Sequence, residues 1–303
     1  MLKKTVTKFL LLSLLIFSLT ALAETKLVIL GSGTPNPDPE RSGSSYAVLI
    51  NETAYLIDFG PGVVRQAAAL SENWGGPFRA LNTQNLEYAF LTHIHSDHST
   101  GLADLILTPW VMGRNKKLKL FGPKELGKMQ SVVSEAYRED INYRINGTQP
   151  SNKVGFKVDF KELIEGEVYR DNNLVVEAFR VNHGELRDSF GFRLKTKDKT
   201  IIFSGDTSPS KKLEEYAYKA DILVHEVYSQ AGFLKKTKDW QIYHKAHHTS
   251  TLEVAELAKR VRPKKLVLSH ILFWGETQDK ILQEVSENYD GEVILAQDLM
   301  IIE

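Results

Sequence analysis

The hydrophobic residues of this chain fall into short runs that polar turns separate. Runs of about four to eight apolar or alternating residues between turn residues are typical of strands. This pattern predicts strands at Leu27–Leu30, Tyr46–Ile50, Ala54–Ile57, Leu86–Leu91, Leu118–Phe121, Leu174–Val181, Thr200–Phe203, Ile222–Val224, Leu266–Leu268 and Val293–Leu295. Apolar residues at helical spacing instead predict helices at Gly101–Leu107, Lys124–Asp140, Leu252–Val261 and Lys280–Tyr289.

The order of these elements indicates the fold class. Strands come first, a helix and further strands follow, and strands then alternate with helices. Each element has to bury its apolar face, so this order favours an α+β fold in which two β-sheets pack face to face with helices outside. The sequence contains no internal repeat and no linker rich in proline and glycine. We therefore predict one domain over residues 24–303.

The first 23 residues have a different character. Lys3, Lys4 and Lys8 precede an almost wholly apolar run from 9 to 22, and Ala21-Leu22-Ala23 matches a cleavage site. This is the pattern of a secretory signal peptide. A membrane anchor is the alternative, but the run is short for a span of about 20 residues. We expect an exported, periplasmic or secreted protein with no membrane span after cleavage.

Composition and charge narrow the function classes. With 42% hydrophobic and 25% charged residues, the chain has an ordinary globular composition. The 38 basic residues balance the 38 acidic ones, and three lysines lie in the first 23 residues. The remainder is slightly acidic, which speaks against the basic surface of a nucleic-acid binder. Because the chain has no cysteine, only histidine and carboxylate side chains are available to bind a transition metal.

One octapeptide carries the strongest chemical signal. The sequence from 91 to 98 places His93, His95, Asp97 and His98 within six residues, directly after a predicted strand. Three further residues of the same types, His183, Asp206 and His270, each follow a predicted strand. Functional groups on loops at one edge of a scaffold converge in space. Five histidines and two aspartates suffice for two metal ions with a bridging carboxylate.

These motifs, in this order, resemble the metallo-β-lactamase superfamily, and the resemblance covers residues 26–303. It implies a four-layer αβ/βα sandwich with two divalent metal ions, for which the histidines favour Zn²⁺ while Mn²⁺ or Fe²⁺ also fit. The resemblance assigns one ion to His93, His95 and His183. It assigns the other ion to Asp97, His98 and His270, with Asp206 bridging the two.

Four further segments are similar to the ribonuclease Z and arylsulfatase branch of this superfamily. They are 30–35 with Arg41, Asp58-Phe59-Gly60, 221–226 and His248-Thr249-Ser250. By this resemblance His248 is a catalytic residue and Glu226 orients it. Asp97 would take up or orient the proton of the nucleophile, in addition to binding metal.

One departure from that branch guides the substrate prediction. Ribonuclease Z enzymes carry a long arm that grips transfer RNA between the equivalents of His183 and Asp206, whereas here only 23 residues separate the two, from 183 to 206, in a hairpin-like stretch. We therefore predict hydrolysis of a small-molecule phosphodiester or sulfate ester. Nucleic acid is not expected as a partner, and a homodimer stays open.

Other functions remain as alternatives. They are a ribonuclease Z-like endoribonuclease, and a lactone, β-lactam or thioester hydrolase on the same site. A metal-binding module without turnover is disfavoured, because such a module does not need an open metal-bound water. Extra histidines at 225, 244 and 247 either line the site or serve structure. Five aromatic residues near the motifs form either an aromatic mouth or core, namely Trp110, Trp240, Tyr243, Phe273 and Trp274.

Overall fold

The computed structural model describes residues 24–303, so the predicted signal peptide lies outside the described residues. Two seven-stranded sheets form the centre of this region. The first contains β1 Thr25–Gly31, β2 Ser45–Ile50, β3 Thr53–Ile57, β4 Tyr88–Phe90, β5 Leu118–Gly122 and β6 Val158–Glu162. The second contains β7 Gly166–Arg170, β8 Val175–Arg180, β9 Phe190–Lys195, β10 Thr200–Phe203, β11 Ile222–Tyr228, β12 Lys265–Leu272 and β13 Glu292–Leu295. The last strand, β14 Ile301–Ile302, joins the first sheet beside β1.

Each sheet is half antiparallel and half parallel. In the first, β1, β2 and β3 form an antiparallel meander, and β3 to β6 pair in parallel. In the second, β7 to β10 are antiparallel and β10 to β13 are parallel. The parallel halves need crossover connections, which is why most helices lie between their strands. The hairpin predicted between His183 and Asp206 is formed by β9 and β10.

Ten α-helices surround the sheets within residues 24–303. They are α1 Val63–Ala69, α2 Ser96–Ser99, α3 Leu102–Val111, α4 Lys124–Ala136, α5 Arg138–Asn146, α6 Lys211–Ala217, α7 Gln230–Leu234, α8 Lys238–His247, α9 Thr251–Val261 and α10 Gln278–Ser286. Short 3₁₀ turns occupy Glu72–Trp74, Arg79–Leu81 and Thr83–Asn85. The start of α9 is fixed by a capping box, in which the Ser250 and Glu253 side chains each bond the backbone N–H of the other.

Three hydrophobic clusters define four layers. The central one fills the space between the sheets, with Val48 and Phe90 from the first facing Phe192 and Val224 from the second. A second cluster packs α1, α3 and α4 on the outer face of the first sheet, and a third packs α6, α9 and α10 on the second. The predicted α+β four-layer sandwich is therefore confirmed. Burial of each large apolar side chain stabilises it by roughly 1.5–3 kcal/mol.

Several element boundaries differ from the predictions. The predicted helix Lys124–Asp140 is two helices that meet at Tyr137, and the predicted strand Leu86–Leu91 is only three residues long. The sequence pattern missed β6 and β7, whose side chains are half-buried or exposed and so lack an apolar run. Among residues 24–303, no helix has both the length and the apolar composition needed to cross a bilayer.

Candidate metal centre

The carboxyl ends of the parallel strands position most of the candidate ligands. His93 and His95 follow β4, and Asp97 and His98 lie in α2, the short helix that begins right after them. His183 follows β8 and Asp206 follows β10. His270 differs from its predicted place after a strand, because it lies within β12, at an irregularity in the pairing with β11. Its φ of 48° is the left-handed conformation, which redirects the ring out of the regular strand alternation.

The seven candidate ligands lie in one buried cluster. Their nitrogen and oxygen atoms form overlapping groups within 4.8 Å, among them His93 with His95 and His183, and Asp97 with His98 and His270. Asp206 connects the two groups. Its Oδ2 lies 3.8 Å from His93 Nε2 and 3.5 Å from His270 Nε2, while its Oδ1 lies 3.5 Å from His98 Nε2. A carboxylate in this position can bridge two ions.

The chemistry of these side chains fits divalent metal ions. Among the described residues, two ligand nitrogens that face Asp206, His93 Nε2 and His98 Nε2, are buried without a hydrogen-bond partner. Leaving such an atom unsatisfied costs about 1–3 kcal/mol, and so each one needs an explanation. Imidazole nitrogens that face carboxylates are the donor set that zinc and similar ions prefer.

Burial and the carboxylates set the charge of the rings. Burial lowers the pKa of His183 to about 4 and holds that of His93 well below its usual value. These rings are neutral at pH 7, as metal ligands must be. Burial also acts on His98 and His270, but nearby carboxylates, Asp206 among them, outweigh it and raise both pKa values, that of His270 to about 9. The carboxylates of the cluster therefore stabilise positive charge at this site.

Hydrogen bonds outside the cluster hold the rings in place. Asp58 Oδ1 accepts from the Thr92 N–H at 2.7 Å, and Asp58 Oδ2 accepts from the Thr92 hydroxyl at 3.0 Å and pairs with His98 Nδ1 at 2.8 Å. His183 Nδ1 lies 2.8 Å from the backbone oxygen of His247. Such partners fix the ring and its tautomer, so that Nε2 faces the centre. Sequence reasoning missed this role of Asp58, although its position directly after β3 was a usable signal.

His248 and Glu226 lie beside Asp206. His248 Nδ1 is 3.4 Å from Glu226 Oε1 and 3.9 Å from Asp206 Oδ2. Glu226 is buried, which raises its pKa well above the usual value. Its Oε1 accepts the backbone N–H groups of Thr207, at 3.1 Å, and Thr249, at 3.0 Å. Glu226 thus ties the loop after Asp206 to the residue after His248. His248 also groups with His183 and Asp206 as a possible metal ligand.

An open cleft of about 330 Å³ leads to the cluster, and His95, Asp97, Asp206, His248 and His270 line it. Three of the five aromatic residues considered for a mouth also line it, namely Trp240, Tyr243 and Trp274. The other two serve structure. Trp110 is buried against Phe156, and the Phe273 ring lies under the Arg41 guanidinium.

The three extra histidines lie in different surroundings. His244 lines the cleft, whereas His225 lines a different cavity with Thr249 and Leu257. His225 is buried, and its Nδ1 pairs with the Glu226 backbone oxygen. The ring of His247 packs on Tyr243, and its Nδ1 pairs with the Tyr243 backbone oxygen.

Comparison with known proteins identifies the class. Residues 53–271 match the β-lactamase superfamily domain, and the chain belongs to this family. It is a metal-dependent hydrolase of the metallo-β-lactamase superfamily. The Ribonuclease Z of Mycobacterium marinum is 29% identical over 289 residues, which cover 92% of this chain and 98% of that protein. The Ribonuclease Z of Mycobacterium sp. (strain KMS) is 30% identical over 251 residues, 82% and 84% of the two chains.

Solved structures show the same fold. Human tRNase Z, short form, aligns with a TM-score of 0.68 and 22% identity, covering 92% of this chain and 98% of that one. A metallo-β-lactamase fold protein from Bacillus subtilis also aligns with a TM-score of 0.68, at 18% identity, covering 92% of this chain and all of that one. At these identities the structures support the fold alone.

The relatives overturn the prediction that nucleic acid is not a partner. Proteins similar to this one over 92% of its length are named Ribonuclease Z, which favours the ribonuclease alternative over a small-molecule ester. Net charge was a misleading signal, because it averages over the whole surface and does not describe the catalytic cleft. The short interval between His183 and Asp206 was misleading too, because the metal cluster is complete without the long arm.

Proposed function

We propose that this protein is a ribonuclease Z-like phosphodiesterase that cleaves RNA with two bound divalent metal ions. One observation carries the proposal above all. Asp206 stands between two groups of ligands, in a chain that is similar to proteins named Ribonuclease Z along most of its length. A cluster of this kind suits the hydrolysis of a phosphodiester, which needs charge stabilisation more than a protein nucleophile.

The two ligand groups divide between the ions. His93, His95 and His183 would hold one, and Asp97, His98 and His270 the other, with Asp206 shared. Zn²⁺ is the proposed ion because five of the seven ligands are histidines. When bound, two such ions polarise the phosphodiester and lower the pKa of the attacking water.

The chain's own residues position the substrate and move protons. Asp97 Oδ2 lies 3.0 Å from His270 Nε2, at the edge of the cleft, where it can accept the proton of the attacking water. His248 lines the same cleft beside Asp206 and is proposed to protonate the leaving oxygen. Glu226, held by two backbone N–H groups, keeps the His248 ring in position.

Ligand variants test this function. We expect the metal-loaded protein to cleave a precursor transfer RNA, and His93→Ala and Asp206→Ala to lose metal and cleavage together. Trp74→Ala serves as the control, because this exposed side chain lines a separate groove with Val64 and Met112. Intact RNA after incubation with metal-loaded wild-type protein would reject the proposal.

The segment before the described residues carries a second proposal, that residues 1–23 are a cleaved export signal. Its support is the lysine-rich start, the apolar run and the Ala21-Leu22-Ala23 site. Mass spectrometry of the protein recovered from its native host should find Glu24 at the N-terminus. A mature chain that retains Met1 or Leu2 would contradict it.

A further inference from the structure

The wall of the cleft is built from aromatic rings that the chemistry described above does not use. We call Trp240, Tyr243, His244 and Trp274 the aromatic wall. The first three lie on α8, and their spacing of three and four residues places them on neighbouring turns. The Trp240 side chain is 54% exposed and Tyr243 is 39% exposed. Large exposed aromatic residues at the mouth of a cleft are typical of ligand contact.

Ring contacts connect this wall to the metal centre. Trp240 stacks on His244 with centroids 5.5 Å apart and an interplanar angle of 23°. The His244 ring in turn lies 4.4 Å from Trp274 and 5.7 Å from His248. A planar group lying against the exposed face of Trp240 would thus be separated from His248 by two rings, those of Trp240 and His244.

A cation completes the wall. Lys236 Nζ lies 4.7 Å from the centre of the Trp274 ring, and Lys236 lines the same cleft. Trp274 has a φ of 48°, an unfavourable conformation for a bulky residue, so its ring is held at the cleft by the surrounding structure. Proteins bind single-stranded nucleic acid with this combination, in which aromatic faces stack the bases and a positive charge contacts the backbone.

We propose that Trp240 stacks a base of the RNA near the scissile phosphodiester, with the nearly perpendicular Tyr243 ring against the edge of that base, and that Lys236 contacts a neighbouring phosphate. This inference rests on RNA being the substrate, as proposed above. Stacking tolerates every base, since each one offers a flat face. The wall would therefore select a single-stranded segment at the cleavage site without selecting its sequence.

Calorimetry with two small ligands tests the proposal without requiring cleavage. AMP carries a base and a phosphate, and ribose 5-phosphate carries the same phosphate without the base. We expect the metal-loaded wild-type protein to bind AMP more tightly than ribose 5-phosphate. Trp240→Ala should weaken the affinity for AMP by about tenfold to a hundredfold, which is the effect of losing one base–aromatic stack. The affinity for ribose 5-phosphate should stay unchanged. Trp240→Phe should retain most of the affinity, and Lys236→Gln should weaken both ligands.

Trp74→Ala is the matched control, because Trp74 is an exposed tryptophan on a different groove. Equal affinity of wild-type protein for the two ligands would overturn the proposal. So would a Trp240→Ala variant that binds AMP as wild type does, or that loses both ligands equally. Failure of the proposed function has a different signature, namely metal-loaded wild-type protein that leaves RNA intact whatever the calorimetry gives.

Discussion

Replacing Asp58 with asparagine tests how the chain prepares His98 to bind metal. Asp58 is 1% exposed, and its two oxygens meet the Thr92 N–H, the Thr92 hydroxyl and His98 Nδ1. His98 Nδ1 must carry the ring proton if Nε2 is to offer its lone pair to a metal ion. An asparagine has only one accepting oxygen. Whichever way it turns, its NH₂ group faces either the Thr92 N–H or the His98 N–H.

The magnitude follows from this mismatch. Loss of the partner of a metal-binding histidine costs about 10- to 100-fold in metal affinity. This corresponds to roughly 1.4–2.7 kcal/mol. We therefore expect Asp58→Asn to weaken the metal site that contains His98 by that factor. The assay is titration of the metal-free protein with Zn²⁺ in competition with a chromophoric chelator, with thermal unfolding followed in parallel.

A control variant separates this effect from general destabilisation. Asp171 accepts the Tyr55 hydroxyl at 2.6 Å and the Tyr169 hydroxyl at 2.8 Å, at the opposite end of β8 from His183. Asp171→Asn should lower stability and leave zinc affinity unchanged. This role of Asp58 is refuted if Asp58→Asn binds both ions as wild type does, or if the two variants lose equal affinity for zinc.

Three further predictions address catalysis, stability and pH. His248→Ala should keep its metal and its KM while kcat falls about 10²–10⁴-fold, the weight of one acid–base group, and loss of metal on analysis would instead make His248 a ligand. Arg114→Met should lower the free energy of unfolding in urea by at least about 3 kcal/mol, because the buried guanidinium donates to four backbone carbonyls, and a smaller loss would contradict this. Burial of Asp171 opposes ionisation, but the Tyr55 and Tyr169 hydroxyls and backbone N–H groups outweigh it and lower its pKa. The contribution of Asp171 to stability is fully present above its pKa in the unfolded chain, about 3.9. It is lost as the pH falls through the lower pKa that Asp171 has in the folded protein. The stability difference between wild type and Asp171→Asn should therefore shrink below about pH 4, and a difference that grows there would contradict the assignment.

The positions of most candidate ligands could be predicted because the fold places them after apolar strands. His93, Asp206 and their neighbours stand at such ends, and the pattern of apolar runs identifies these positions without knowledge of the pairing. Asp58 also follows an apolar strand, but that position alone does not reveal its partners. Its contact with Thr92 depends on the parallel pairing of β3 with β4, in which Ile57 lies opposite Phe90. Such registers are long-range and leave no trace in local periodicity.

The aromatic residues show a similar limit. Trp110 and Trp240 are equally aromatic, yet one is buried in α3 and the other is exposed at the cleft. The segment before His248 has mixed polarity, and its sequence pattern predicts no helix there. It forms the helix α8, and its long-range contacts, such as that of the His244 ring with Trp274, bring its rings to the metal centre. Net charge gave the wrong prediction about nucleic acid for a related reason, since it does not show where on the surface the charges lie.

Titration of the metal-free protein with Zn²⁺, with both bound metal and the rate of RNA cleavage measured, tests whether two metal ions are needed for cleavage. Cleavage of a precursor transfer RNA should rise with metal occupancy and reach its plateau at about two ions per chain, because both ligand groups flank Asp206. Asp206→Ala should show neither the binding nor the rise. Protein saturated with metal that leaves the RNA intact would contradict a metal-dependent ribonuclease function.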